Sequence, residues 1–133
     1  MNREQVKEQM QRSNLFVLAT QKDRGWEEAA GLVTLEAQAC GTPVVVNRSG
    51  GAAEMLSADV TGFTAERENP ESLALQMQKF LSLDCASQIE MGKKARKCVV
   101  NERSINTSCE RVKSIYRALS QRFCRCFDTR ENL

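Results

Sequence analysis

Glu28 and Glu36 are the residues of this sequence best placed to do chemistry. Seven residues separate the two carboxylates, Ala29-Ala30-Gly31-Leu32-Val33-Thr34-Leu35, and the composition turns helical from Gly31 to Gly41. The amides of Ala29, Ala30 and Gly31 would then point out of a helix N-terminus, where N–H groups and the helix dipole favour an anion such as a diphosphate. Small side chains let that group approach the backbone. Along the helix Glu36 has Leu32 and Cys40 four residues to either side, whereas Thr34 and Gln38 form a separate, more polar row. Glu36 is therefore expected on a buried face, where a carboxylate needs donors. Sugar or ribose hydroxyls would supply two, and an internal backbone amide or a distant Arg would serve as well. Glu28, just ahead of the helix, is favoured by the dipole by about 0.3–1 kcal/mol whatever its function. Gly50-Gly51 ahead of Glu54 marks a second glycine turn, and Trp26 is either a stacking platform or a half-buried anchor. The 133 residues contain no histidine. That excludes Ser/His/Asp and Cys/His nucleophilic sites and a helical HExxH zinc site within this chain. Any reaction must run on carboxylates, backbone amides, cations or a second chain.

The elements that would position these residues follow from hydrophobic patterning. Residues 3–12 read as a polar helix, and Leu15-Phe16-Val17-Leu18-Ala19 is an apolar run of strand length, as in a parallel sheet covered on both faces. The helix from Gly31 stops at Gly41 and Pro43, and Val44-Val45-Val46 is a second buried strand. Strand, helix and strand within this short span form a βαβ unit with a right-handed crossover. A short helix over Ala52–Leu56 and a third strand over Thr61–Ala65 follow. Asn69 caps a helix with Pro70 at its first position, and Leu73, Met77, Phe80 and Leu81 give that helix one apolar face. Ser87-Gln-Ile-Glu90 and Thr107-Ser-Cys-Glu110 read as capping boxes opening two more helices, the first running to about Val100. Val112, Ile115, Tyr116 and Leu119 line the second, and the residues after Arg122 form a frayed tail. The expected class is α/β, with a short parallel sheet of about three strands, helices on both faces and a helical C-terminal third. Residues 1–122 form one domain and 123–133 its tail.

Composition bounds the rest. With 41% hydrophobic and 27% charged residues the chain is an ordinary folded domain. Residues 1–89 hold 8 Lys+Arg against 12 Asp+Glu, and residues 90–133 hold 11 against 5, so the basic end is the C-terminal third. Only Tyr116, Phe123 and Phe127 accompany those cations and no nucleic-acid motif is present, so a solvated helical face is expected and no nucleic-acid partner. The six cysteines follow a polar start without a signal peptide. Cys40, Cys98 and Cys109 fall in helices, as reduced thiols would, and a cytoplasmic location is expected. Cys124-Arg125-Cys126 is a lone pair, so no metal site is expected. No apolar run is long enough to span a membrane. Phe123 and Phe127 among arginines allow contact with a membrane that is peripheral at most.

Together these motifs resemble a known family. Trp26-Glu-Glu-Ala-Ala-Gly-Leu-Val-Thr-Leu-Glu-Ala-Gln-Ala-Cys-Gly-Thr-Pro-Val-Val45, then Ser49-Gly-Gly-Ala-Ala-Glu54 and Val60-Thr-Gly-Phe63, are similar to the C-terminal half of retaining glycosyltransferases of the GT-B fold, family four or glycosyl transferases group one. The resemblance runs from about Ser13 to Leu119. It implies a partial Rossmann-like, donor-binding half-domain whose substrate is a nucleotide-diphosphate sugar, with no resident cofactor or metal. By the same resemblance Glu28 is the catalytic carboxylate facing the donor sugar. Ala29, Ala30, Gly31 and Leu32 contact the diphosphate or sugar, and Glu36 holds the ribose. The sequence departs from the family at Ala29-Ala30-Gly31, where Gly-Phe-Gly or Pro-Phe-Gly is frequent. The stretch before Ser13 is also too short for the acceptor-binding domain and the Arg and Lys that clamp the diphosphate. The expectation is a truncated or split enzyme, inactive alone, whose three-stranded sheet exposes an edge that a partner chain or a second copy would cover. The competing expectation is a non-catalytic interaction module derived from such a half-domain.

Overall fold

The computed structural model describes residues 2–21 and 30–128, with side chains to residue 121. Its elements run α1 (Arg3–Arg12), β1 (Phe16–Leu18), α2 (Leu32–Ala39), β2 (Val44–Asn47), a 3₁₀ turn (Ala52–Met55), β3 (Gly62–Ala65), α3 (Pro70–Leu81), α4 (Cys85–Glu102) and α5 (Ile105–Asp128). The sheet is parallel in the order β1-β2-β3, with Val17 beside Val45 and Val45 beside Phe63. The three β-branched residues Val44, Val45 and Val46 are fully buried, and because strand side chains alternate they feed two separate cores. Val44 and Val46 pack with Met10 of α1 and Ala37 of α2. Val45 packs on the other face with Phe63, Phe80 of α3 and Met91 of α4. Helices thus cover both faces of the sheet, and each buried valine contributes about 1.5–3 kcal/mol.

The helix ends show which local signals the fold uses. At α1 the Asn2 Oδ1 accepts from the Gln5 amide at 2.9 Å while the Gln5 Oε1 accepts from the Asn2 amide at 2.8 Å. The Thr42 hydroxyl then ties the turn after α2 to α1 by donating to the Met10 carbonyl at 2.6 Å. At α3 the Asn69 Oδ1 accepts from the Ser72 amide at 2.8 Å, with Pro70 at the first helical position. Phe80 is buried and Leu73 and Met77 are packed beside it, but Leu81 is 65% exposed and Leu83 takes the packing position expected of it.

Two caps sit three residues earlier than expected. α4 is opened by Asp84, whose Oδ1 accepts from the Ser87 amide at 2.7 Å and whose Oδ2 accepts from the Ser87 hydroxyl at 3.1 Å. Ser87 is the capped residue, and Glu90 is free to lie on the surface. α5 is opened by Ser104, whose Oγ accepts from the Thr107 amide at 3.2 Å. The Thr107 hydroxyl in turn donates to the Asn101 carbonyl at 3.0 Å.

Residues 1–100 and 101–133 form two compact units. In the second, helical backbone continues through Asp128, beyond the Arg122 expected to end it. Val112, Ile115, Tyr116 and Leu119 on α5 are exposed. Among the described residues, Cys40, Cys85, Cys98 and Cys109 are free thiols, and no helix is long and apolar enough to cross a membrane.

Candidate functional site

The start of α2 lies at the carboxyl edge of the sheet, where open α/β folds place their ligands. Gly31 occupies the cap position with φ 56° and ψ 43°, a left-handed conformation that suits glycine. A Cβ on Gly31 would lie 3.0 Å from the Ala52 Cβ and 3.4 Å from Leu18 Cδ2, so strand β1, the 3₁₀ turn and the helix start converge on one glycine. The Thr34 amide donates to the Gly31 carbonyl at 2.8 Å, closing the first turn. Beyond it the Leu32 side chain is 64% exposed at the start of the helix. Ala30 is a half-buried bend just ahead of Gly31. Trp26, Glu28 and Ala29 lie outside the described residues.

The rotation of α2 differs from the expectation. Thr34, Ala37 and Gln38 face inward, and the row of Leu32 and Glu36 faces outward. Gln38 explains the choice: its Nε2 donates to the Met55 carbonyl at 2.7 Å and to the Thr34 carbonyl at 3.2 Å, satisfying the 3₁₀ turn that packs on α2. A row read as polar surface is therefore drawn into the interior by a backbone carbonyl that needs a donor. Glu36 is exposed, and neither an internal amide nor an Arg holds it among the described residues. Instead it lines an open groove of about 430 Å³ between α1 and α2, together with Arg3, Val6, Lys7, Met10 and Cys40. Glu4 lines it too and pairs with Lys7 at 3.5 Å, so Glu36 can accept from hydroxyls there beside that ion pair and Arg3.

Further polar groups at the carboxyl edge escaped the sequence reading. The Asn47 Nδ2 at the end of β2 donates to the Thr20 carbonyl after β1 at 3.4 Å. The Oδ1 of Asn47, the Oγ1 of Thr20 and Thr34, the Oγ of Ser49 and the Oε1 of Gln38 are buried without a hydrogen-bond partner among the described residues. Buried oxygens are normally hydrogen-bonded, so Thr20, Asn47 and Ser49 leave the loops after β1 and β2 with unmet hydrogen-bonding capacity. The available signal was position: Thr20 and Asn47 are the first polar residues after the two apolar strand runs.

A second cavity of about 450 Å³, lined by Asp59, Leu83, Asp84, Glu90, Met91 and Lys94 among others, sits by the amino end of β3, at the sheet edge opposite the start of α2. Hydrogen bonds from the Ser87 amide, then from the Ser87 hydroxyl, hold the Asp84 carboxyl below its ordinary range. That carboxyl is committed to capping α4. No group of three His, Cys, Asp or Glu residues gathers as a metal site among the described residues.

Comparison with known proteins bears on this arrangement. The family model described as glycosyl transferases group 1 matches residues 1–98. The chain is 32% identical over 111 residues to the N-acetyl-alpha-D-glucosaminyl L-malate synthase of Bacillus anthracis, covering 84% of this chain and 28% of that one. Among solved structures, the sucrose-phosphate synthase of Thermosynechococcus elongatus superposes with a TM-score of 0.74 at 26% identity, over 91% of this chain and 29% of that one. The Anabaena protein Alr3699/HepE, solved in complex with UDP, superposes with a TM-score of 0.70 at 22% identity over 83% of this chain and 29% of its own. The chain spans between 13% and 28% of the length of the curated relatives it matches.

Proposed function

The chain belongs to the group 1 glycosyl transferases and carries their GT-B fold, and from that premise we propose that it is the donor-binding portion of a retaining, nucleotide-sugar-dependent glycosyltransferase. The observation that carries the reading is the start of α2: a glycine-capped helix N-terminus at the carboxyl edge of a parallel sheet, with Glu36 exposed on the same helix. In this reading the amides from Ala29 to Leu32 receive the diphosphate or sugar. Glu28 faces the sugar hydroxyls, and Glu36 accepts from the ribose hydroxyls. The same fold binds UDP-glucose in the Anabaena protein, which supports a nucleotide-sugar partner.

The chemistry assigned to the complete enzyme is transfer on one face of the sugar. The bond from the anomeric carbon to the leaving diphosphate breaks, the acceptor oxygen bonds to that carbon on the face just vacated, and the acceptor's proton passes to a diphosphate oxygen. Such a step calls for stabilisation of the departing negative charge more than for a protein nucleophile. A chain without histidine fits that demand. The acceptor and the remaining diphosphate contacts belong to the part of the fold that this chain does not span, supplied by a partner chain or by further sequence. Turnover requires that part.

Amide NMR tests the reading. Titration with a nucleoside diphosphate and with its sugar conjugate is expected to move resonances from Ala30 to Glu36, and Glu36→Gln is expected to weaken binding about tenfold or more through loss of a charge-assisted hydrogen bond. No response at millimolar ligand leaves the second reading, a non-catalytic interaction module on the same scaffold.

A further inference from the structure

Resting on the donor-binding reading above, we propose that Asn47 is a positioning residue for that site: it sets the two walls that locate Gly31, and with Gly31 the start of α2. Val44, Val45 and Val46 are fully buried, and Asn47, next in the strand, is buried nearly as deeply at 3% exposure. Packing alone would continue the run with an apolar side chain, since asparagine is mostly found exposed. The carboxamide instead brings two N–H donors and an acceptor oxygen to this position. Among the described residues its Nδ2 donates to the Thr20 carbonyl at 3.4 Å, and its Oδ1 meets no partner. The polarity of position 47 is thus accounted for by what the side chain grips rather than by the core.

That grip leads to Gly31 from both sides. Thr20 stands two residues past Leu18, whose Cδ2 would be 3.4 Å from a Cβ on Gly31. On the other side the Asn47 carbonyl accepts from the Ser49 amide at 2.8 Å, which turns the chain, and the Ser49 carbonyl accepts from the Ala52 amide at 3.4 Å. Ala52 is the second wall, its own Cβ 3.0 Å from the same Cβ position on Gly31. Gly31 has no side chain with which to cap α2 as Asn69 caps α3, so the packing of Leu18 and Ala52 around it bears directly on where the helix starts. Helix-start amides bind an anion well only when they are held in place before it arrives. Asn47 is the residue that reaches both walls, one through its side chain and one through its backbone.

Isosteric replacement tests this on the full chain, by amide NMR and urea unfolding. UDP, ADP and GDP are titrated against the parent, and the tightest of the three is carried to the variants. Asn47→Leu keeps the size of the side chain and removes the grip. It is expected to move the Gly31 amide resonance of the ligand-free chain and to weaken binding about threefold to tenfold, the worth of one neutral hydrogen bond. Its urea midpoint is expected to stay close to that of the parent, because losing the donor to Thr20 is offset by removing an unmet buried oxygen. Asn47→Asp keeps an acceptor, loses the donor and adds a negative charge at the edge that receives the diphosphate, so it is expected to bind more weakly still. A parent that binds while Asn47→Leu binds equally well overturns the proposal and leaves the donor-binding reading standing. A parent silent to all three diphosphates at millimolar concentration overturns both. An unmoved Gly31 resonance, or a urea midpoint that falls in step with affinity in both variants, gives Asn47 to the fold alone and also overturns the proposal.

Discussion

At the scale of single residues, Gly31 and Gln38 determine how α2 is presented. Gly31 supplies a positive φ in the one place where β1, α2 and the 3₁₀ turn meet. Gly31→Ala places a Cβ in the left-handed region, at about 1–2 kcal/mol, and presses it against Ala52 at a comparable further cost. The expected outcome is a lower urea midpoint at unchanged slope together with weaker nucleotide binding, and an unaltered midpoint would show that the cap relaxes freely. Gln38 accounts for the one reversal in the site. Leu32, Val33, Leu35, Ala37 and Ala39 make α2 apolar nearly all round, so periodicity alone left its rotation undetermined. What fixes the rotation is the Met55 carbonyl, seventeen residues on, and that contact is not encoded in the local pattern. The same sequence did make Glu36 visible through its spacing from Glu28, because spacing survives a rotation of the helix.

At the scale of elements, the strands were legible and the helix caps less so. Continuous apolar runs such as Val44-Val45-Val46 have one reading in a sheet covered on both faces, and the parallel pairing follows from connections long enough to return the chain to the same end of the sheet. Capping signals overlap. Both Asp84-x-x-Ser87 and Ser87-x-x-Glu90 satisfy the spacing, and the chain uses the earlier pair, with Leu83 just ahead of it packed into the core beside Phe80. The choice has a consequence for pH. Asp84 is held below its ordinary range by the Ser87 amide and hydroxyl, so the folded state binds its proton less readily than the unfolded chain. Its contribution is present above the unfolded carboxylate value, near 4, and is lost as pH falls through the lower folded value. Asp84→Asn is therefore expected to flatten the acid limb of a stability profile while leaving the dependence above pH ~6 unchanged. An acid limb identical to that of the parent would show that the cap does not titrate with folding.

At the scale of the whole molecule, the question is whether residues 1–100 can hold a native state alone. Among the described residues their sheet has three short strands and β1 pairs only with β2, and Phe16, Val17 and Leu18 are all half-buried where the residues of the central β2 are fully covered. An edge of that kind offers N–H and C=O groups to any strand that can align with it. The chain spans under a third of the length of its curated relatives, so the test is made on these 133 residues by themselves. We therefore expect the isolated chain either to self-associate through β1 or to unfold at modest temperature, and to be stabilised by a polypeptide supplying the rest of the fold. For a self-associating chain the thermal midpoint rises with protein concentration, because assembly adds to the folded side of the equilibrium by mass action. Sedimentation velocity alongside a melting series separates the two outcomes. A monodisperse monomer with a sharp, high and concentration-independent transition would show that two small cores, one built on Val44 and Val46 and the other on Val45, are enough to close this half of the fold by themselves.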